Sequence, residues 1–193
     1  VVATEDNTTV EITPTAANKN GKPAGIPFTV TLNQGQIYNV MGTTSGNQGT
    51  DLTGSRIRSI SSNGSGGCKK IAVFSGAGKI SIGGSATGSA DNLFAQAFPA
   101  VAWGKRYLTA PTGSQPNNFF RVCVTDPTTV VKLNGVQLSP STLINGFYYQ
   151  FKNSNLPVYN PAAPNLIESD KPVLVAQYCT TQGQEGNPNS FPY

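Results

Sequence analysis

The sequence predicts an all-β protein: two tandem β-sandwich units related by an internal repeat and packed through an apolar junction. Three observations predict this. Turn formers are dense, with 21 Gly and 14 Pro among 193 residues, and they punctuate short apolar runs. No stretch keeps apolar residues at i, i+3, i+4 and i+7 for long; the best helical candidate, Asp91 to Val101 behind a cap at Ser89, is cut short by Pro99. Third, a short script occurs twice. Asp6-Asn7-Thr8-Thr9-Val10-Glu11-Ile12 returns as Asp126-Pro127-Thr128-Thr129-Val130-Val131-Lys132-Leu133, Gly35-Gln36-Ile37-Tyr38-Asn39-Val40 as Gly146-Phe147-Tyr148-Tyr149-Gln150-Phe151, and Lys69-Lys70-Ile71-Ala72-Val73-Phe74 as Lys171-Pro172-Val173-Leu174-Val175-Ala176. Three strand-like words in one order point to two β units of one ancestry.

In chain order, Phe28, Val30 and Leu32 alternate with Thr29 and Thr31, the period-2 mark of a half-buried strand. Asn33-Gln34-Gly35 is a turn expected to form a hairpin with Gln36 to Met41. Strands are further expected over Arg56 to Ser59, Lys70 to Ser75 and Lys79 to Ile82, with Gly/Ser/Asn loops over Gly42 to Thr50 and Ser61 to Gly67. The second copy reads as strands over Phe120 to Val124, Val130 to Leu133, Phe147 to Phe151, Asn165 to Ser169 and Val173 to Tyr178. Asn134-Gly135 signals a type I′ turn, and Asn153 to Pro164 an irregular excursion. Strands in this number need two packed layers in each copy. The expected units are residues 1–92 and 93–193, with a junction at 93–105 whose Phe94, Phe98, Val101 and Trp103 should be buried between them. The second copy also has a strand-like run, Arg106 to Ala110, with no counterpart before Val1, so the first unit is expected to lack its first strand.

Net charge is +4, only 11% of residues are charged, and the basic residues fall in isolated pairs (Arg56 and Arg58, Lys69-Lys70, Lys105-Arg106) rather than a stripe, which argues against nucleic acid as partner. No apolar run of about 18 residues could insert in a membrane. The chain has no histidine, which excludes Ser-His-Asp and Cys-His catalysis and the commonest zinc ligand. No phosphate-cradling glycine motif stands between strand and helix, and no cofactor is implied. Glycoside hydrolysis needs only two facing carboxylates, and nothing in the sequence marks such a pair.

Of three cysteines, Cys123 and Cys179 fall where the first copy has Ala3 and Ala77, small residues suited to close approach, and a Cys123–Cys179 disulfide is expected. Against it, Cys123 shares strand parity with Arg121, away from the apolar set of Val122. Cys68, beside Lys69 and Lys70, is left over. Glu5, Asp6 and Asn7 are candidate calcium ligands, but lack the spacing of a calcium loop; a turn in which Asp6 and Asn7 bond backbone amides is the preferred reading. Trp103 reads as a junction anchor or as a stacking platform, and Tyr148, Tyr149 and Tyr159 as an aromatic group suited to protein or glycan recognition, with at least one of the first two facing the core.

The words Ala3-Thr4-Glu5-Asp6-Asn7-Thr8-Thr9-Val10, Gly35-Gln36-Ile37-Tyr38, Asp51-Leu52-Thr53-Gly54-Ser55, Ala72-Val73-Phe74-Ser75-Gly76, Gln96-Ala97-Phe98-Pro99, Val101-Ala102-Trp103-Gly104-Lys105 and Lys171-Pro172-Val173-Leu174-Val175-Ala176-Gln177-Tyr178 run in order through nearly the whole chain. Together they resemble the N-terminal domain of the IgGFc-binding protein family, in the style of its bacterial surface members. The resemblance implies a non-enzymatic adhesion module, secreted or on the cell surface, that belongs to a larger multidomain chain. It implies a host or matrix glycoprotein or glycan as partner, IgG Fc or mucin-like, and a monomer. It carries no binding residues over. A ligand-free spacer and a carbohydrate-active enzyme with paired carboxylates are the competing readings.

Overall fold

The computed structural model describes residues 1–46, 48–61, 67–82, 91–110, 118–152, 158 and 163–179. The described chain is all-β, and its only helical pieces are two single 3-10 turns at Ala100–Ala102 and Pro140–Thr142. It divides into two compact units, residues 1–75 with 95–97 and residues 76–94 with 98–193.

The first unit contains β1 (Val2–Ala3), β2 (Thr8–Thr13), β3 (Phe28–Leu32), β4 (Thr44–Ser45), β5 (Gln48–Gly49), β6 (Arg56–Ile60) and β7 (Ile71–Ala72). In β2 every second residue, Thr8, Val10 and Ile12, is buried, as the alternating sequence requires. Strand β2 lies between β3 and β6, Val10 facing Val30 on one side and Ser59 on the other. Val10, Ile12, Leu32 and Ala3 form its core. The expected hairpin after Leu32 is not formed. The turn is there, with Gln36 N–H donating to Asn33 O (2.9 Å) and Gly35 at φ 79°, but the chain then leaves β3 and runs beside β1. Ala3 N–H donates to Gln36 O and Tyr38 N–H to Val1 O, so the segment changes sheets at Gly35 instead of folding back.

Strand β8 (Phe74–Ile80) pairs with β9 (Asp91–Gln96). Two expectations fall here. The break placed before Lys79 is absent, since Phe74–Ile80 is one strand, and the helical candidate is strand β9 followed by a single 3-10 turn. Gly76 explains part of the pairing: a Cβ there would stand 2.3 Å from Leu93 O, so only glycine allows the approach.

The second unit continues with β10 (Gly104–Leu108), β11 (Asn118–Val124), β12 (Val131–Leu133), β13 (Val136–Gln137), β14 (Tyr148–Lys152) and β15 (Leu166–Cys179). They form one six-stranded sheet in the order β13-β12-β15-β11-β14, with β10 also on β15. The type I′ turn is confirmed, with Asn134 at φ 50° and Gly135 at φ 83°. In β11 burial alternates without a break, Asn118, Phe120, Val122 and Val124 inward. The two strands expected near Asn165 and Val173 are one. Its first part pairs with β12 and β10, its second with β11, and Pro172 falls in the register shift between the pairs Arg106–Glu168 and Gly104–Val173, where it has no ladder partner. Phe120, Val122, Val131, Leu133, Tyr149, Phe151, Ile167 and Val173 make the core.

Candidate binding surface

Of the aromatic candidates, Tyr148 and Tyr149 are both buried, at 6% and 2% exposure, and neither is available to a ligand. Successive strand residues point to opposite faces, so both faces must be covered at β14. Tyr149 belongs to the core, and burial pushes its phenol pKa up. On the other face the Arg121 guanidinium lies over the Tyr148 ring, 4.6 Å from its centroid. Tyr159 lies outside the described residues.

The junction behaves in the opposite way. Phe94, Phe98 and Val101, expected to be buried, are 71%, 69% and 95% exposed. The local geometry holds Phe98 and Val101 out. Pro99 starts a 3-10 turn in which Ala102 N–H donates to Pro99 O (2.9 Å) and Trp103 N–H to Ala100 O (3.2 Å). The half-buried Trp103 then turns its indole back, Nε1 donating to Phe98 O at 3.2 Å. This bond ties Trp103 to the start of the same loop, making it an anchor of the loop with Phe98 and Val101 on the outside. Beyond it, Gly104 N–H donates to the Tyr107 hydroxyl (2.7 Å), which donates to Val173 O (2.6 Å) and moors the loop to β15. Apolarity alone suggested burial of this segment. The contrary signal was Pro99, which keeps the segment out of a strand.

The acidic candidates are a turn. Asp6 Oδ1 accepts from Gln34 N–H (2.9 Å), Asn7 N–H donates to Asn33 Oδ1 (3.1 Å), and the Lys69 ammonium sits on the carbonyls of Asp6 and Asn7. The cation held at this turn is the chain's own. Among the described residues no cluster of three or more His, Cys, Asp or Glu stands ready for a metal.

The cysteines correct a further expectation. The β11–β15 register sets Cys123 across from Leu174 and Cys179 across from Asn118. Five positions along a ladder separate them, about 16 Å at the usual rise, whereas a disulfide needs its Cα atoms within about 7 Å. Cys68 is exposed and free.

Three described carboxylates hold cations across or between strands: Glu11 with Arg58 (2.6 Å), Glu168 with Arg106 (3.2 Å) and Asp126 with Lys171 (2.5 Å). The Lys171 ammonium, with the Thr128 N–H and hydroxyl, lowers the Asp126 pKa from 3.8 to about 2. A general acid needs a shift the other way. The folded carboxylate is favoured over the unfolded one, so its contribution is complete above about pH 4 and fades as pH falls toward 2. Accordingly, Asp126→Asn should flatten the fall of Tm between pH 4 and 2 relative to the parent. A thermal-melt series across that range checks this; an acid limb of unchanged steepness would contradict it.

The chain belongs to the IgGFc-binding protein family: the family model described as IgGFc binding protein matches residues 1–192. No curated protein and no solved structure matches it at a significant level. Among the described residues no helix is long and apolar enough to cross a membrane.

Proposed function

We propose that the chain is an extracellular, non-enzymatic binding module that takes a host or matrix glycoprotein through the Phe98–Trp103 loop. Family membership supports the class, and the exposure of Phe98 and Val101 on a loop closed by Trp103 is the observation that carries the site. We further read the chain as two β-sandwich units of one ancestry. Strand pairs recur at matching positions: Val10 faces Ser59 and Ile12 faces Ile57 in the first unit, as Val131 faces Ser169 and Leu133 faces Ile167 in the second.

The loop suits recognition because its apolar groups are already outside and its backbone is already ordered, so little entropy is lost on binding. Surface plasmon resonance of the chain over immobilised IgG Fc, with a mucin as comparator, tests the reading. Saturable binding tighter than about 10 μM is expected. Phe98→Ala combined with Val101→Ala should weaken it by about ten-fold or more, since burial of each side chain contributes about 1.5–3 kcal/mol. Binding to mucin alone would move the target to glycans. Silence on both surfaces would favour a ligand-free spacer.

A further inference from the structure

Asparagine is followed by glycine at Asn20-Gly21, Asn63-Gly64, Asn134-Gly135 and Asn145-Gly146. The second of these pairs lies outside the described residues. In such a pair the glycine nitrogen can reach the side-chain carbonyl carbon of the asparagine, because no Cβ obstructs the approach. Whether it does so in the folded chain depends on what holds the asparagine amide and the glycine N–H. On this the three described pairs differ.

Asn20 and Asn134 are held. Asn20 Nδ2 donates to the Tyr38 hydroxyl (3.0 Å) and to Asn39 O (3.3 Å), and the Gly21 N–H is committed to Asn18 O (3.1 Å). Asn134 Nδ2 donates to Val158 O (2.6 Å) and Asn165 Oδ1 (2.8 Å), and its Oδ1 accepts from Leu166 N–H (2.8 Å). Asn145 is exposed, and among the described residues no hydrogen bond holds its side chain or the N–H of Gly146. The pair stands at φ 51° and 77° in a turn closed by Phe147 N–H donating to Ile144 O (3.0 Å). The space around the glycine is open: a Cβ at Gly146 would meet only Pro127, at 3.9 Å.

We propose that Asn145 is a site of spontaneous deamidation in the folded protein, and that their contacts protect Asn20 and Asn134. The Gly146 nitrogen gives its proton to solvent base and bonds to Asn145 Cγ. The Cγ–Nδ2 bond breaks, ammonia leaves with a proton from solvent, and a cyclic succinimide remains. Water then adds to one of the two ring carbonyls. Opening at Cγ gives aspartate; opening at the backbone carbonyl gives isoaspartate, whose main chain runs through Cβ and Cγ. The exchange is one water in and one ammonia out, and the net charge falls by one from +4. Aspartate suits the position, since its carboxylate stands in solvent and it tolerates the left-handed backbone as asparagine does. Isoaspartate adds one carbon to the turn that leads into β14. It should therefore loosen the bonds that clasp that turn, Phe147 N–H to Ile144 O and Ile144 N–H to Tyr148 O (2.8 Å). This inference rests on neither the glycoprotein reading nor the two-unit reading.

The test is timed incubation of the full chain at mildly alkaline pH, folded and in urea, followed by peptide mapping with fragment-level mass spectrometry that separates aspartate from isoaspartate. In the folded chain Asn145 is expected to react about ten-fold or more faster than Asn20 and Asn134, because the bonds holding those two must open first. In urea, where these contacts are gone, the three should react alike. Amide exchange of the aged chain should show Ile144 and Phe147 less protected in the isoaspartate fraction. Equal rates in the folded chain overturn the proposal, as does an Asn145 that reacts only in urea. A lead for Asn145 that persists unchanged in urea overturns it too, because the difference would then come from local sequence and not from the fold.

Discussion

Phe120→Ala is expected to destabilise the second unit by about 3–5 kcal/mol, the range for emptying an aromatic core site that cannot collapse. Phe120 is wholly buried in β11, which lies between β14 and β15, and is paired to Phe151 in β14 and to Gln177 in β15. Its ring stacks on Phe151 with centroids 5.3 Å apart and planes 23° apart, so truncation removes both transfer energy and the ring pair. Because β14, β11 and β15 hold the gap open from either side, relaxation around it is restricted. Guanidinium unfolding followed by the single Trp103, which lies in this unit, checks the size. Phe120→Leu, nearer in volume, should cost under about 1.5 kcal/mol. Equal losses for the two variants, or a loss below about 1 kcal/mol for alanine, would mean that the site repacks.

The second large effect is expected at Asn134, an exposed residue whose replacement by alanine should cost about 2–4 kcal/mol. Its side chain ties three segments together. Nδ2 donates to Val158 O (2.6 Å) and to Oδ1 of the buried Asn165 (2.8 Å), while Oδ1 accepts from Leu166 N–H (2.8 Å). Removing it strips one partner from Asn165 Oδ1, at about 1–3 kcal/mol for a buried polar atom. Alanine also bears the left-handed backbone at φ 50°, worth roughly a further 1–2 kcal/mol. Asn134→Gly separates the two causes: it relieves the backbone but not the lost bonds, and should recover about 1 kcal/mol of the alanine deficit. Chemical denaturation of the three proteins side by side decides it. A glycine variant no better than alanine would show that the hydrogen bonds carry the whole effect.

Several features were legible from local pattern. The alternation Phe120, Val122, Val124 against Arg121 and Cys123 predicted which side of β11 is buried, and Asn134-Gly135 predicted the turn between β12 and β13. The parity of Cys123 with Arg121 already counted against its disulfide, and the register supplied the reason. The site was far less legible. Tyr148 and Tyr149 looked like surface candidates, but adjacent strand residues are both buried when Arg121 covers one face and the core the other. Phe98 and Val101 looked like core, but Pro99 and the Trp103–Phe98 hydrogen bond close a loop that holds them outside.

By itself the sequence determined the all-β class, the position of several strands and the buried side of β3 and β11, because these follow from a two-residue period and from turn chemistry that act over a few neighbours. Tertiary structure alone decided the register that parts Cys123 from Cys179, the fusion of two expected strands into β15 and the exposure of Phe98 and Val101. The physical reason is that register, strand neighbours and exposure are set by whichever distant segments pack alongside, and a one-residue change of pairing turns every side chain to the other face without altering the local pattern.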